Sequence, residues 1–267
     1  MSAENTNHID TSKPHSARMY DYYLGGKDHY RVDEEAARKV MEVYPGIIPC
    51  ARSNRAFMHR ATRWLTSEAG IRQFLDIGTA IPTEPNLHQV AQSIAPDARV
   101  VYADNDPIVL AYAQALLHGT PEGRTAYIEA DVREPESILG SPELLETLDL
   151  SEPVALSINA TLHFIPDKYG TYEIVERLMD ALPSGSYLEI SHSSPDFDQA
   201  SVDAAVAIYR KGGIEAQLRT KSEIEKFFHG LELIEPGIVP PHRWWPDGPV
   251  TVTDEEVSFW AGVARKP

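Results

Sequence analysis

Two periodicities divide the chain. Between residue 33 and about residue 70, apolar positions recur at helical spacing. Asp33 can cap a helix over EEAARKVMEVY, in which Ala37, Val40, Met41 and Tyr44 share one face, and Pro45-Gly46 ends it. A second helix is expected over Ala51–Glu68, with Phe57, Ala61, Trp64 and Leu65 on one stripe. After Gly70 the texture changes. Short apolar runs at Gln73–Ile77, Arg99–Ala103, Ala126–Glu129, Pro153–Ile158 and Ser186–Ser191 are each followed by a helical pattern. Those patterns cover Asn86–Ile94, Pro107–Leu117, Pro142–Leu148, Lys168–Leu182 and Asp198–Tyr209. Five such units in series predict a parallel sheet with right-handed crossover helices on both faces.

The end of the chain breaks the alternation. Leu231–Ile234 and Val257–Val263 are strand-like, but only a loop rich in Pro, Trp and Gly separates them. No crossover helix fits there, so this pair is expected to form an antiparallel hairpin at a sheet edge. The expected architecture is therefore α/β, a doubly wound sheet of mixed type. Residues 1–16, small and polar without periodicity, read as a flexible tail. Residues 17–70 read as a helical cap and 71–267 as the sheet domain.

Composition narrows the function. The 267 residues carry 24 Lys+Arg against 40 Asp+Glu, a net charge of −16 that disfavours a general nucleic-acid or anionic-lipid binder. The charge is uneven. Residues 1–60 hold 9 basic and 8 acidic side chains, whereas 128–198 hold 3 and 15. A single cysteine, Cys50, forms no internal disulfide, and the absence of CxxC, Cys/His clusters and HExxH argues against a zinc site. No signal-peptide pattern or run of about 18 apolar residues occurs, so a cytoplasmic protein that neither spans a membrane nor binds nucleic acid is the default expectation.

In a doubly wound sheet, ligands bind beyond the carboxyl ends of the strands. After the first strand, Asp76-Ile77-Gly78-Thr79-Ala80 is a turn of small residues before a helix, which lets backbone approach a ligand. It is neither a clean GxGxxG nor a P-loop. After the second strand, Asp104 stands where an acid can accept from a ribose diol, with Asp106 left to cap the helix at Pro107; the plainer alternative is that either acid is only a cap. After the third, Asp131 can accept from an adenine amino group while Val132 covers the base. After the fourth, Asn159, Ala160 and His163 face the reaction centre, unless His163 is merely a core histidine. Together these describe a nucleoside site. The missing glycine of GxGxxG and the terminal hairpin favour S-adenosylmethionine (SAM) over NAD.

The segments FLDIGTAIPT, VYADNDP, EADVREP and LHFIPD, with the early ARMYDYYLGGKDHY and ARSNRAF, resemble one family of class I SAM-dependent methyltransferases, long catalogued as a domain of unknown function. The resemblance spans about Arg18 to Ala264. It implies a Rossmann-like fold and SAM as cofactor. Asp76, Gly78, Thr79 and Ala80 would hold the methionine part, Asp104 the ribose and Asn105 the adenine edge. Asp131 and Val132 would contact the adenine, and Asn159 with Ala160 would lie near the sulfonium. The family usually has glycine where this chain has Ala80.

The front segment is crowded with functional groups. Lys27, Arg52 or Arg55 can pair the carboxylate of the methionine moiety, and Tyr20, Tyr22, Tyr23 and Tyr30 can wall an acceptor pocket; the alternative is a cap with ordinary surface ion pairs. His163 is the first candidate for a base, followed by His29 and Tyr30. Trp244 and Trp245 either meet the acceptor or pack the hairpin onto the sheet. The motif after the fourth strand is Asn159-Ala-Thr-Leu rather than Asn/Asp-Pro-Pro-aromatic, which points away from a nucleobase amino group and towards methyl transfer to an O or N atom of a small molecule. A non-catalytic SAM-binding regulator is the alternative reading.

Overall fold

A computed structural model describes residues 10–116 and 119–267. Three helices open the chain: α1 (Ser16–Leu24), α2 (Arg31–Val43) and α3 (Ile47–Ser67). The alternating part follows as β1 (Gln73–Ile77), α4 (Leu87–Ile94), β2 (Arg99–Asp104), α5 (Pro107–Leu116), β3 (Arg124–Glu129), α6 (Pro135–Leu139) and α7 (Pro142–Thr147). Then come β4 (Ala155–Asn159), α8 (Thr171–Asp180), β5 (Tyr187–Ser193), α9 (Gln199–Lys211), α10 (Lys221–Ile224), β6 (Glu232–Leu233), α11 (Asp254–Val257) and β7 (Phe259–Arg265).

The seven strands form one sheet in the order β3-β2-β1-β4-β5-β7-β6. β1 to β5 are parallel, and β7 pairs antiparallel with both β5 and β6. The strand order reverses between β1 and β4, so a crevice opens beyond their carboxyl ends. β1 is buried at every position, as a parallel strand covered on both faces must be. One apolar layer, with Leu75, Val101, Leu156 and Leu188, packs under α6–α8. The other, with Phe74, Val100 and Tyr102, packs under α3 and α4.

Local chemistry moved several boundaries. α3 begins at Ile47, four residues before the expected start. The helix expected over Lys168–Leu182 starts at Thr171, because Gly170 stands in the left-handed region (φ 70) and separates it from a short 3₁₀ turn. Asp33 is not the cap of α2. It lies one turn inside, accepting from the Tyr30 amide (2.9 Å) and from the His15 amide (2.8 Å). Residues 10–15, the described part of the expected tail, lie against the fold through such bonds: the Asp10 carbonyl accepts from Arg18 Nη1 (2.9 Å).

The opening helices share a core with the sheet domain. Met19, Tyr23, Val40 and Cys50 pack with Val202 and Ala205 of α9 and Phe259 of β7. Tyr44 donates to the Glu256 carbonyl at 2.7 Å, fastening the end of α2 to the far end of the chain. No helix among the described residues is long and apolar enough to cross a membrane, and none of their Asp, Glu, His and Cys side chains group to hold a metal.

Candidate cofactor and acceptor site

Beyond the carboxyl ends of β1 to β4 lies a cavity of about 780 Å³, roofed by α1, α3, α9 and residues 10–15. That volume falls within the range of small-molecule sites. The turn after β1 lines it. Gly78 is in the left-handed region (φ 75), and a Cβ there would stand 2.1 Å from Thr161 Oγ1, so only glycine fits. Ala80 is also left-handed (φ 60), an uncommon conformation for alanine. Its amide donates to Asp104 Oδ2 at 2.9 Å, which ties the turn after β1 to the end of β2.

Asp104 and Asp106 play different parts. Asp106 is occupied: Arg18 binds both its oxygens (2.8 and 3.0 Å), and its Oδ1 accepts from the Ile108 amide at the start of α5 (3.2 Å). Asp104 accepts one backbone amide on each oxygen, from Ala80 and Asp106, which leaves lone pairs on both. Burial pushes its carboxyl above the usual range, against the pull of those amides. Asn105 beside it is exposed at the cavity. Asp131 also lines the cavity, gripped by Arg133 through both oxygens. Burial is the largest influence on Asp131, yet Arg133 outweighs it and holds the carboxyl below its ordinary value. Val132 is buried next to it.

Beneath the turn lies a buried polar set. Asp76 accepts from Thr79 Oγ1 (2.9 Å), and its carboxyl is raised, chiefly by burial. Asn159 donates to Glu189 Oε1 at 2.6 Å and to Ser157 Oγ at 3.0 Å. Glu189 is 1% exposed, and burial pushes it up to about 8. Two buried polar atoms of the lining have no protein partner: Asn159 Oδ1 and Arg55 Nε. Arg55 Nη2 donates to the Thr83 and Pro85 carbonyls and to Asn86 Oδ1, so no carboxylate neutralises it there.

Ala160 also adopts a left-handed backbone (φ 51) and lines the cavity. His163 does too, with its ring 4.3 Å from Phe164 and 5.5 Å from Phe259. Burial, helped by Arg219, lowers its imidazole to about 3, so it is neutral across the physiological range. The neighbouring loop is pinned by Arg219, which is fully buried and donates to the Leu162 and Ile165 carbonyls (3.0 and 2.9 Å) and to His192 Nε2 (2.8 Å).

Other expected residues lie elsewhere. Lys27 and Arg52 are exposed, and neither lines the cavity; nor do His29 and Tyr30. The Gly-Gly-Lys-Asp-His run instead wraps a buried carboxylate. Asp21 accepts from the Asp28 amide (3.0 Å) and bonds His29 Nδ1 (2.8 Å), and a Cβ on Gly26 would lie 1.8 Å from Asp21 Oδ1. Tyr30 packs behind the Ala80 turn, with the Arg18 guanidinium 5.3 Å from its ring centroid. Trp244 and Trp245 meet Trp64 of α3 edge-on and do not line the cavity, and Arg60 holds the Trp244 and Pro241 carbonyls.

Sequence reasoning missed three contributors: residues 10–15, the α9 wall with Tyr209, and Arg219. Polar, aperiodic segments and groups that meet only in three dimensions leave no local pattern to find.

The sequence profile described as S-adenosyl methyltransferase matches residues 2–267. The chain belongs to this family. SAM is the cofactor of the family, and the enzyme class is methyltransferase. A DUF574-family protein of Streptomyces avermitilis is 52% identical, with a TM-score of 0.96 over 97% of this chain and 100% of its own. A protein of Thermobifida fusca whose proposed activity is methyl transfer is 40% identical, with a TM-score of 0.90 over 99% of each chain. The plantazolicin methyltransferase, solved with S-adenosylhomocysteine (SAH), is 12% identical at a TM-score of 0.54 and shares the fold alone. No curated protein sequence matches the chain. The doubly wound mixed sheet expected from the strand pattern, with its antiparallel last strand, is the one observed, and it is the class I architecture that the resemblance implied.

Proposed function

We propose that this methyltransferase transfers the methyl group of SAM to an O or N atom of a small molecule enclosed in the cavity. The observation that carries the reading is the pairing on one cavity lining of Arg55, whose Nη2 is held by carbonyl and amide oxygens and by no carboxylate, with the oxygen-bearing side chains of Asp76 and Asn159. An anionic carboxylate suits Arg55, and a cationic amine suits Asn159 Oδ1 with the carboxyl of Asp76. The methionine end of SAM carries both groups.

The remaining assignments follow from free hydrogen-bonding capacity. Asp104 keeps lone pairs on both oxygens and can accept from a ribose diol, whereas Asp106 is consumed by Arg18 and the start of α5. Asn105, Asp131 and Val132 lie together at the adenine end. Asn159, Ala160 and His163 stand at the other. Bound SAM supplies a methyl group activated by a sulfonium. The chain's part is to hold the acceptor near it and keep water out, and such positioning can supply about 7–11 kcal/mol. His163 suits a positioning role better than that of a strong base: with its imidazole lowered to about 3, it hydrogen-bonds an acceptor while remaining uncharged.

Calorimetry with SAM and SAH tests the reading. Both should bind, and Arg55→Met should weaken each at least tenfold. No heat of binding from either at 1 mM overturns it.

A further inference from the structure

The cavity is two-sided in its chemistry. Its charged groups sit on the strand-end loops, on residues 10–13, on Arg55, on Arg18 (paired with Asp106) and on Glu215 of the loop after α9. The wall built by α1, the start of α3, α9 and β7 is different. Tyr20, Tyr23, Ala51, Ala205, Tyr209 and Phe259 face the cavity from one packed cluster, which Ala160 joins to the cofactor side. Three charged side chains reach the cavity from α1, α3 and the loop after α9, and each is already engaged: Arg18 with Asp106, Arg55 with the Thr83 and Pro85 carbonyls, and Glu215 with Lys168.

The phenols here are already satisfied. The Tyr23 and Tyr209 hydroxyls bond each other at 3.1 Å. Tyr20 donates to the Ala51 carbonyl (3.1 Å) and accepts from Asn54 Nδ2 (3.0 Å). Burial keeps them protonated, pushing Tyr20 up to about 12 and Tyr23 well above its ordinary value. The polar side chain at the junction with the cofactor side, His163, is neutral. A charged acceptor would find no unengaged counter-ion on this wall and would lose hydration for little return. A flat apolar body finds aromatic rings to pack on, and one hydroxyl finds His163.

We propose that this lobe is the acceptor subsite and that it takes an uncharged, hydroxyl-bearing aromatic molecule. The proposal rests on the methyltransferase reading for the identity of its neighbour, and the lobe itself is preformed without it.

The test uses 2-naphthol and 6-hydroxy-2-naphthoate, which share a ring system and hydroxyl and differ by one carboxylate. Each is titrated into the full chain, with and without saturating SAH, and binding is followed by tyrosine and tryptophan fluorescence and by calorimetry. 2-Naphthol should bind at least tenfold tighter than the naphthoate in both series. Equal or tighter binding of the naphthoate, or no binding of 2-naphthol, overturns the proposal. Failure of SAH alone to bind counts against the methyltransferase reading, and the series without SAH still decides the lobe. Ala205→Trp fills the lobe from α9 and should weaken 2-naphthol at least tenfold while SAH affinity stays within twofold. Leu218→Trp, from the opposing loop, makes the same prediction should Ala205→Trp lose its native circular dichroism. Undiminished 2-naphthol binding in a folded variant also overturns the assignment.

Discussion

Replacing Glu189 by glutamine should stabilise the protein at alkaline pH and leave it nearly unchanged at acidic pH. Glu189 lies on β5, opposite Ser157 of β4 and Val263 of β7, with 1% of its surface exposed. Burial is the main reason its carboxyl is pushed up to about 8. The negative Asp76 nearby adds to this, while the Asn159 amide opposes it. The ordinary value is 4.5, so the shift is about 3.5 pH units. In the unfolded chain Glu189 loses its proton near pH 4.5, whereas in the fold it keeps it to about pH 8. Its contribution is therefore fully present below pH 4.5 and is lost as pH rises through 8. At about 1.4 kcal/mol per unit, the loss totals about 5 kcal/mol. That is a large part of a typical domain stability of about 5–15 kcal/mol. Glutamine copies the protonated acid in shape and can still accept from Asn159. Urea unfolding of both proteins at pH 5, 7 and 9, without ligand, measures the difference. The gain from Glu189→Gln should grow with pH and reach several kcal/mol at pH 9. A difference that stays constant within about 1 kcal/mol across that range would show that Glu189 is ionised in the fold and refute the reasoning.

Three further outcomes are expected. Asp104→Ala should lose most SAM affinity in calorimetry, whereas Asp106→Asn should cost stability through Arg18, by about 3–5 kcal/mol for a broken buried pair, and leave a folded fraction that still binds; the reverse pattern would exchange the two roles. Arg219→Met strands the Leu162 and Ile165 carbonyls and His192 Nε2, and should destabilise by at least about 3 kcal/mol in denaturant unfolding. Ala80→Gly relieves a left-handed alanine and should raise stability by up to about 1 kcal/mol, with SAM affinity equal or better; a clear loss of both would mean the Ala80 methyl makes a needed contact.

The sheet was legible because its strands alternate with helical patterns at regular intervals, and because the last two strands have no helix between them. The strand-end acids were legible for the same reason: topology places them before any contact is known. Asp104 and Asp106 could be told apart only by cap chemistry, and the decisive partner, Arg18, lies 88 residues earlier. The Gly25-Gly26-Lys27 run was conspicuous yet misleading. Gly25 ends α1 in the left-handed region (φ 84), and Gly26 makes room for Asp21, a contact that sequence does not display. Residues 10–15 are held largely through backbone groups, such as the His15 amide and the Asp10 carbonyl, and backbone bonds carry no residue code. The aromatic lobe joins α1, α9 and β7 from three distant stretches, so only the fold assembles it.

The position of β7 has a consequence for how the chain is made. β7 is the last strand in sequence, yet it lies inside the sheet, between β5 and β6. α1, made well before it, packs on Phe259 at its start. At about 5–20 residues per second, the ribosome needs about 3–13 s to pass from Ser193 to Phe259. Throughout that interval β5 presents a bare hydrogen-bonding edge, and α1 lacks part of its partner. The nascent chain is then most open to wrong strand pairing. Slowing synthesis over residues 193–259 would lengthen this exposure, and holding the chain there, by a chaperone or by the ribosome itself, would shorten its cost.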